Sequence, residues 1–409
     1  MMAKWNVATV EELVESGIIE RPLDGNHGEI HPKSSDFVEF GVPFLMASDI
    51  KHDRVDLDSC ARISEQQAMA LRKGFAKNGD VLLTHKGTLG RTALLQGLDT
   101  PYAVLTPQVT YYRVKDTNQL NPSYLMYYFQ SSKFQAVLSA WAGSGSTRAY
   151  LSITDQQKLP VVLPPIQIQE QISSVLAVID DKIDLNRRMN ETLEHMAMTA
   201  YKHWFIDTES PERVPLAELI EINPKISMKK GYEIPFVDMK AVSTNSLSVQ
   251  DADVVMKQFT SGSKFQNGDT LFARITPCLE NGKTAYVDFL EEDGIAFGST
   301  EFLVLRAKSS ACPAFVYCTA RFPNFKDYAI KSMVGTSGRQ RAQVGALLQF
   351  EIPAPDHEAM IRFAEITKEW FQQIRSNTIE NRYLYDIRGN LLPRLLSGEI
   401  YLNTDEAII

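Results

Sequence analysis

Along residues 167–205 the apolar positions Ile172, Leu176, Ile179, Ile183, Leu193, Ala197, Ala200 and Trp204 follow alternating steps of four and three, with Asn186 and Asn190 completing the series. The same series recurs over 357–397 as Phe363, Thr367, Trp370, Ile374, Asn377, Asn381, Leu384, Arg388, Leu391 and Leu395, each position 191 residues further on. A seam of this period belongs to a helix packed lengthwise on a partner. Gly389 and Pro393, near the end of the second stretch, are the only Gly and Pro in either. Two helices of about 40 residues are expected, far beyond the dozen or so of an ordinary core helix. Asn in an apolar seam lowers stability but fixes register. Antiparallel pairing sets Asn186 and Asn190 opposite Asn377 and Asn381. Parallel pairing also matches them, but the first helix must carry the chain away from the first domain and the second must return.

Ahead of each helix the pattern changes to short β-type runs: DVLLT (80–84), VTYYRV (109–114), TLFARI (270–275) and EFLVLRA (301–307). Turn signals lie between them at Asn78-Gly79, Lys86-Gly87, Asn267-Gly268 and Asn281-Gly282. The segments repeat. Phe75-Ala-Lys-Asn-Gly-Asp80 returns as Phe265-Gln-Asn-Gly-Asp269, and Gly90-Arg-Thr-Ala93 as Gly282-Lys-Thr-Ala285. Pro122, opening a helical run that ends at Phe134, returns as Pro313 and a run ending at Phe325. Gly143-Ser-Gly-Ser-Thr-Arg148 returns as Gly335-Thr-Ser-Gly-Arg339, and Pro164-Pro165 as Ala354-Pro355. A near-constant separation across a whole half marks a duplicated unit. The expected fold class is α+β: two similar α/β domains, residues 1–163 and 208–354, separated by two long antiparallel coiled-coil helices, 164–207 and 355–400, in a pseudo-two-fold dumbbell with a tail at 401–409.

The 409 residues are 44% hydrophobic and 22% charged, the balance of a folded water-facing protein. No window of about 18 apolar residues offers a membrane span. Cys60, Cys278, Cys312 and Cys318 form no CxxC pair and have no His at zinc-ligand spacing, which fits buried thiols in a reduced compartment. No Walker loop, GxSxG elbow, HExxH or amino-methyltransferase [DNS]PP[YF] tetrapeptide occurs. Gly25-Asn-His-Gly28 lacks the third Gly and preceding strand of a phosphate loop and reads as a turn. His27 and His31 have no third metal ligand. No catalytic residue, metal site or cofactor site is expected in this chain.

What recurs instead is a pair of basic, hydroxyl-bearing loops. The net charge of −8 is awkward for a nucleic-acid binder, but distribution matters more than the total. Residues 71–91 carry Arg72, Lys73, Lys77, Lys86 and Arg91 against Asp80 alone, and 331–341 carry Lys331, Arg339 and Arg341 with no acid. In the first half the candidate DNA-binding residues are Thr84, His85, Lys86, Thr88 and Arg91, then Ser144, Ser146, Thr147 and Arg148. In the second they are Arg274, Thr276 and Lys283, then Thr336, Ser337, Arg339, Gln340 and Arg341. Gly lets backbone amides approach phosphates, hydroxyls supply short hydrogen bonds, and Arg or Gln reads a base edge with two bonds. Any one such loop is also what a solvated surface turn looks like; recurrence at one place in both halves favours binding.

At this point the chain resembles the specificity subunit of Type I restriction–modification enzymes. Leu163-Pro-Pro-Ile-Gln-Ile-Gln-Glu-Gln171, Ile179-Asp-Asp-Lys-Ile-Asp-Leu-Asn-Arg-Arg-Met-Asn190 and Trp204-Phe205-Ile-Asp207 are similar to that family's central segment. Leu392-Pro-Arg-Leu-Leu-Ser-Gly-Glu-Ile400 is similar to the end of its second one, and Phe265–Asp269 and Glu221-Ile-Asn-Pro224 to its target-recognition domain signatures. The resemblance implies two target-recognition domains, each reading half of a split site in double-stranded DNA, and a helix pair acting as ruler. It implies docking of two methyltransferase subunits, which carry S-adenosylmethionine, and of motor-nuclease subunits, which carry ATP and Mg. It places the chain in the cytoplasm of a bacterium or archaeon. One departure is Ala354-Pro-Asp-His-Glu-Ala359, which lacks the Pro-Pro…Glu-Gln pattern of the first helix start. Two rivals remain at this point. An enzyme requires a cofactor or metal motif, and a protein-only scaffold would leave both loop sets without DNA; activity assays of the isolated chain and gel shifts with partner subunits separate them.

Overall fold

The structure, a computed structural model, describes residues 5–143, 149–208, 210–336 and 338–400. It forms two compact units, Met1–Asp180 with Tyr385–Ile409, and Asp181–Leu384. The domain limits expected at 163, 207 and 354 lie near the helix ends, whereas the compact units divide inside the helices. The reason is packing: each unit's core takes in residues from both helices.

The first unit holds a four-stranded sheet in the order Thr88–Leu94, Val81–Lys86, Val109–Tyr112, Leu23–Asp24. A second sheet runs Phe37–Val38, Ala61–Ile63, Val42–Leu45, Ala103–Leu105, Phe75–Ala76, with Val42–Leu45 and Ala103–Leu105 parallel. Asn6–Thr9 pairs with Pro160–Leu163. The second unit repeats this plan. One sheet runs Thr284–Tyr286, Thr270–Ala273, Phe302–Ala307, Ile220–Ile222. The other runs Val254–Gln258, Glu233–Val237, Ile295–Gly298, Ser263–Gln266, again with its middle pair parallel. Arg213–Pro215 pairs with Glu351–Pro353.

The single short helix expected in each half is two. Pro122–Gln130 and Ser132–Ala142 are separated at Ser131, whose extended backbone lets its hydroxyl accept the Phe134 N–H as a cap. Pro313–Arg321 and Pro323–Lys331 are separated at Phe322, which Pro323 forces out of the helical region. The long helices are Ile166–Tyr201, followed by a wider turn over Lys202–Ile206, and His357–Leu396, with Pro393 inside its last turn. Gly398, at φ 65°, supplies the left-handed residue that ends the second.

In the first unit Ile172 and Leu176, from the start of one long helix, share a core with Leu392 and Leu395, from the end of the other, and with Tyr124, Phe129 and Phe134. In the second unit Ala197, Tyr201 and Phe205 share a core with Met360, Phe363, Phe371 and Ile374. Phe205 meets Phe315 and Phe363 edge-on at 5.1 and 5.2 Å. Within the second unit the helices run antiparallel through the Asn positions. Asn186 donates to Asn381 Oδ1 at 2.9 Å and to Glu380 at 2.8 Å, and Asn377 donates to Asn190 Oδ1 at 2.8 Å. Lys182 bridges to Glu380 at 3.0 Å. Buried Gln169 donates to the Gln119 and Pro164 carbonyls and accepts from Asn121 N–H, tying the first helix start to its domain. Met360, 191 residues on, does the same work by apolar burial.

The repeated Asn-Gly-Asp turn has a structural purpose. Asp80 accepts the Lys77 N–H at 2.7 Å and pairs with Arg113 at 2.8 and 2.7 Å. Asp269 accepts the Gln266 N–H at 2.9 Å and pairs with Arg306 at 2.7 and 2.6 Å. Both carboxylates are 1% exposed, so removing one strands a guanidinium over a closed core. Asp269→Ala is expected to cost on the order of 3 kcal/mol in urea melts. A cost below about 1 kcal/mol would show the pair to be incidental.

Candidate nucleic-acid interface

In the second unit, two strand ends and the segment 340–342 build one corner. Arg274 N–H bonds the Glu301 carbonyl at 3.0 Å, and Ala342 N–H bonds the Arg274 carbonyl at 2.9 Å. Thr276 N–H bonds the Gln340 carbonyl at 3.2 Å, and the Thr276 hydroxyl accepts the Gln340 N–H at 3.3 Å. Thus Arg274, Thr276, Gln340 and Arg341, placed on two distant loops by sequence, meet in space. At their centre is Glu301. Arg341 grips it through Nε at 2.9 Å and Nη2 at 2.6 Å, and Arg274 Nε donates to it at 3.3 Å. The bonds from Arg341, then those from Arg274, hold the Glu301 carboxyl below its ordinary range. Thr336 and Arg339 stand exposed beside this cluster in sequence. Two guanidiniums hold one carboxylate and Arg339 stands exposed close by in sequence, so the corner is basic in a net-acidic chain.

The first unit builds the same corner by the same backbone bonds. His85 N–H bonds the Gln108 carbonyl and Leu151 N–H bonds the His85 carbonyl, each at 3.0 Å; Gly87 N–H bonds the Ala149 carbonyl at 3.2 Å. Here Gln108 occupies the place of Glu301, His85 that of Arg274, and Tyr150 that of Arg341. Lys86 and Thr88 are exposed, and the Lys86 ammonium lies 5.6 Å from the centre of the exposed Tyr150 ring. Thr84 and His85 lie inside the domain and present no surface to a ligand in this structure. His85 Nδ1 meets the Thr110 hydroxyl at 2.8 Å, and its Nε2 lies 4.0 Å from Asp24. Burial raises the Asp24 carboxyl, but bonds from Lys73 and His27 leave it below its ordinary value. Gly25 packs so tightly that a Cβ there would sit 1.8 Å from the Leu105 carbonyl oxygen, which fixes this residue as Gly.

Arg91 and Lys283 share a different task. Arg91 Nη1 donates to the Ala47 and Ile50 carbonyls at 3.3 and 3.1 Å, and Lys283 Nζ to the Met239 carbonyl at 2.8 Å. Each ties its hairpin to a one-turn helix, Ala47–Asp49 or Met239–Ala241. Ser144, Ser146, Thr147, Arg148 and Ser337 lie outside the described residues. Glu301 and Tyr150 were missed from sequence; an aromatic just past a Gly/Ser loop was an available signal for Tyr150, whereas Glu301 follows the acidic run Glu291-Glu-Asp293 and had none. Among the described residues no group of three or more His, Cys, Asp and Glu is placed to hold a metal ion, and no helix is long and apolar enough to cross a membrane.

The chain is in its class a duplicated α+β protein, each of whose two cores takes in residues from both long helices. Residues 2–195 match the family model described as the Type I restriction modification DNA specificity domain. The chain is 22% identical over 352 residues to the MjaIX specificity subunit of Methanocaldococcus jannaschii, covering 79% of this chain and 78% of that one. It is 22% identical over 443 residues to the HindI specificity subunit of Haemophilus influenzae, covering 88% and 94%. The crystal structure of the S subunit from M. genitalium has the same fold, with TM-score 0.55 and 14% identity over 96% of both chains. The family model and the curated relatives together support a specificity subunit of a Type I restriction–modification system, the class of subunit that recognises DNA sequence.

Burial pushes His85 down to about 4 from its ordinary 6.5. Below pH 6.5 the unfolded chain takes up a proton that folded His85 refuses. Its contribution to stability is therefore present above 6.5 and lost as pH falls toward 4, at about 1.4 kcal/mol per pH unit. Comparing urea melts at several pH values, the native chain should lose stability more steeply than His85→Gln across this window. Parallel slopes would mean that His85 titrates normally.

Proposed function

We propose that this chain reads a bipartite site in double-stranded DNA, one half per domain, and presents it to separate modification and restriction subunits. The observation that carries this reading is the same three-segment corner, made by the same backbone bonds, in each unit. The residues offered to DNA are Lys86, Thr88 and Tyr150 in the first domain and Arg274, Thr276, Thr336, Arg339, Gln340 and Arg341 in the second. Ser144, Ser146, Thr147, Arg148 and Ser337 belong to the same loops by sequence. Two methyltransferase subunits bearing S-adenosylmethionine, and motor-nuclease subunits bearing ATP and Mg, are the partners. In support of docking, Leu185, Met189 and Met196 are exposed on the first long helix at steps of four and seven, a single face that a partner would cover.

Mapping of methylated adenines in cells carrying this chain and its partners should return two short motifs with an unread gap. A helix of about 40 residues is about 60 Å long, which at about 3.4 Å per base pair caps the separation of half-site centres at roughly 18 base pairs. About one helical turn is the separation expected. Replacing residues 1–163 by those of a relative should change one motif and leave the other. Arg339→Ala should weaken binding to all sequences and flatten the salt dependence by about one unit if it holds a phosphate. If it reads a base, the loss should be confined to one position of the second motif. One continuous motif, or a domain swap that alters both halves, overturns the two-headed reading.

A further inference from the structure

We propose that Glu301 is a specificity-determining positioning residue of the second domain, holding Arg341 so that the outer edge of its guanidinium meets a guanine in that half-site. This rests on the reading of the corner as a DNA face. An acid on a surface meant for phosphates weakens binding through charge alone, so its presence there requires a use. The geometry supplies one. Glu301 receives the Nε–H and one Nη2–H of Arg341, two of five donors on a planar fork. The remaining Nη1 and Nη2 hydrogens lie on the opposite edge and can reach the O6 and N7 acceptors of guanine together. An unheld Arg side chain spends rotamer freedom on every such contact; a side chain already fixed loses less. The backbone fixes Glu301 in turn. Its carbonyl accepts the Arg274 N–H, and its own N–H bonds the Ser299 hydroxyl at 3.2 Å. Arg274 Nε closes the second oxygen. In the first domain, neutral Gln108 stands where Glu301 does and Tyr150 where Arg341 does, so this device belongs to the second half-site alone.

The test uses the full chain assembled with its modification subunits, on a duplex carrying the methylation-mapped site and on one of scrambled sequence. Glu301→Gln keeps the shape but removes a charge and one acceptor. Binding to the mapped site should fall, binding to scrambled DNA should hold or rise, and their ratio should drop roughly ten-fold, with the lost preference confined to guanine positions of the second motif. Glu301→Asp, which keeps the charge, should retain more of that preference. Equal tightening on both duplexes would show Glu301 to be only a repulsive charge. Equal weakening together with a lowered melting temperature would show it to be only structural. Either result overturns the proposal while the corner remains a DNA face. If Arg339→Ala and Arg341→Ala also leave both affinities unchanged, the reading of the corner itself fails.

Discussion

A helix of 36 or 40 residues cannot stay isolated in water with an apolar seam along its length. That constraint organises this chain. Each domain closes its core over the start of one long helix and the end of the other. Ile172 and Leu176 meet Leu392 and Leu395 in the first unit, and Tyr201 and Phe205 meet Phe363 and Phe371 in the second. Neither globular part completes its core with its own strands and short helices. The helices are therefore part of each domain's interior as well as a connection, and a duplicated sequence is the economical way to build two such interiors.

The seam's polar positions follow from the same geometry. Asn186 and Asn377 are buried between the helices, where an unpaired amide is costly. Each finds a partner across the contact in Asn381 or Asn190. A slip by one helical turn breaks both pairs, so the polar seam favours one register over its neighbours. Further along the second helix, the charge of seam residue Arg388 is balanced within the first unit, by Asp180 at 3.1 Å and by Asp53 at 2.8 Å. Asp53 comes from a tight turn whose two residues, His52 and Asp53, both have positive φ.

The duplication, the seam and the positions of most strands were legible because they rest on periodicity and on turn residues, which are local. The site was less so. Thr84 and His85 sit in a basic, hydroxyl-rich stretch, yet the strand Val81–Lys86 is covered on both faces as far as His85, which places both inside. Arg91 and Lys283 looked available, but carbonyl oxygens of one-turn helices far away in sequence absorb their charge. Ser131 and Phe322 break what reads as one helix, the first through a cap and the second through Pro323. Glu301 is a contact residue of arginines 27 and 40 positions away, and no local pattern announces such a pairing.

What the two corners share bears on how such a protein changes what it reads. The frame is made of backbone bonds: His85 to Gln108 and Leu151 to His85 in one unit, Arg274 to Glu301 and Ala342 to Arg274 in the other. A backbone frame leaves the exposed side chains it carries free to differ; His85, buried and bonded to Thr110, is the exception. Gln108 and Glu301, His85 and Arg274, Tyr150 and Arg341 differ in charge, size and hydrogen-bonding capacity, yet the segments meet in the same way. In the proposed reading of DNA, fold and recognition are thus held by different atoms. The buried pairs Asp80–Arg113 and Asp269–Arg306 recur because folding needs them in both copies. In the proposed reading of DNA, the exposed residues at the corners are exchangeable where those pairs are not, and substitution there alters one half-site while the scaffold of both domains persists.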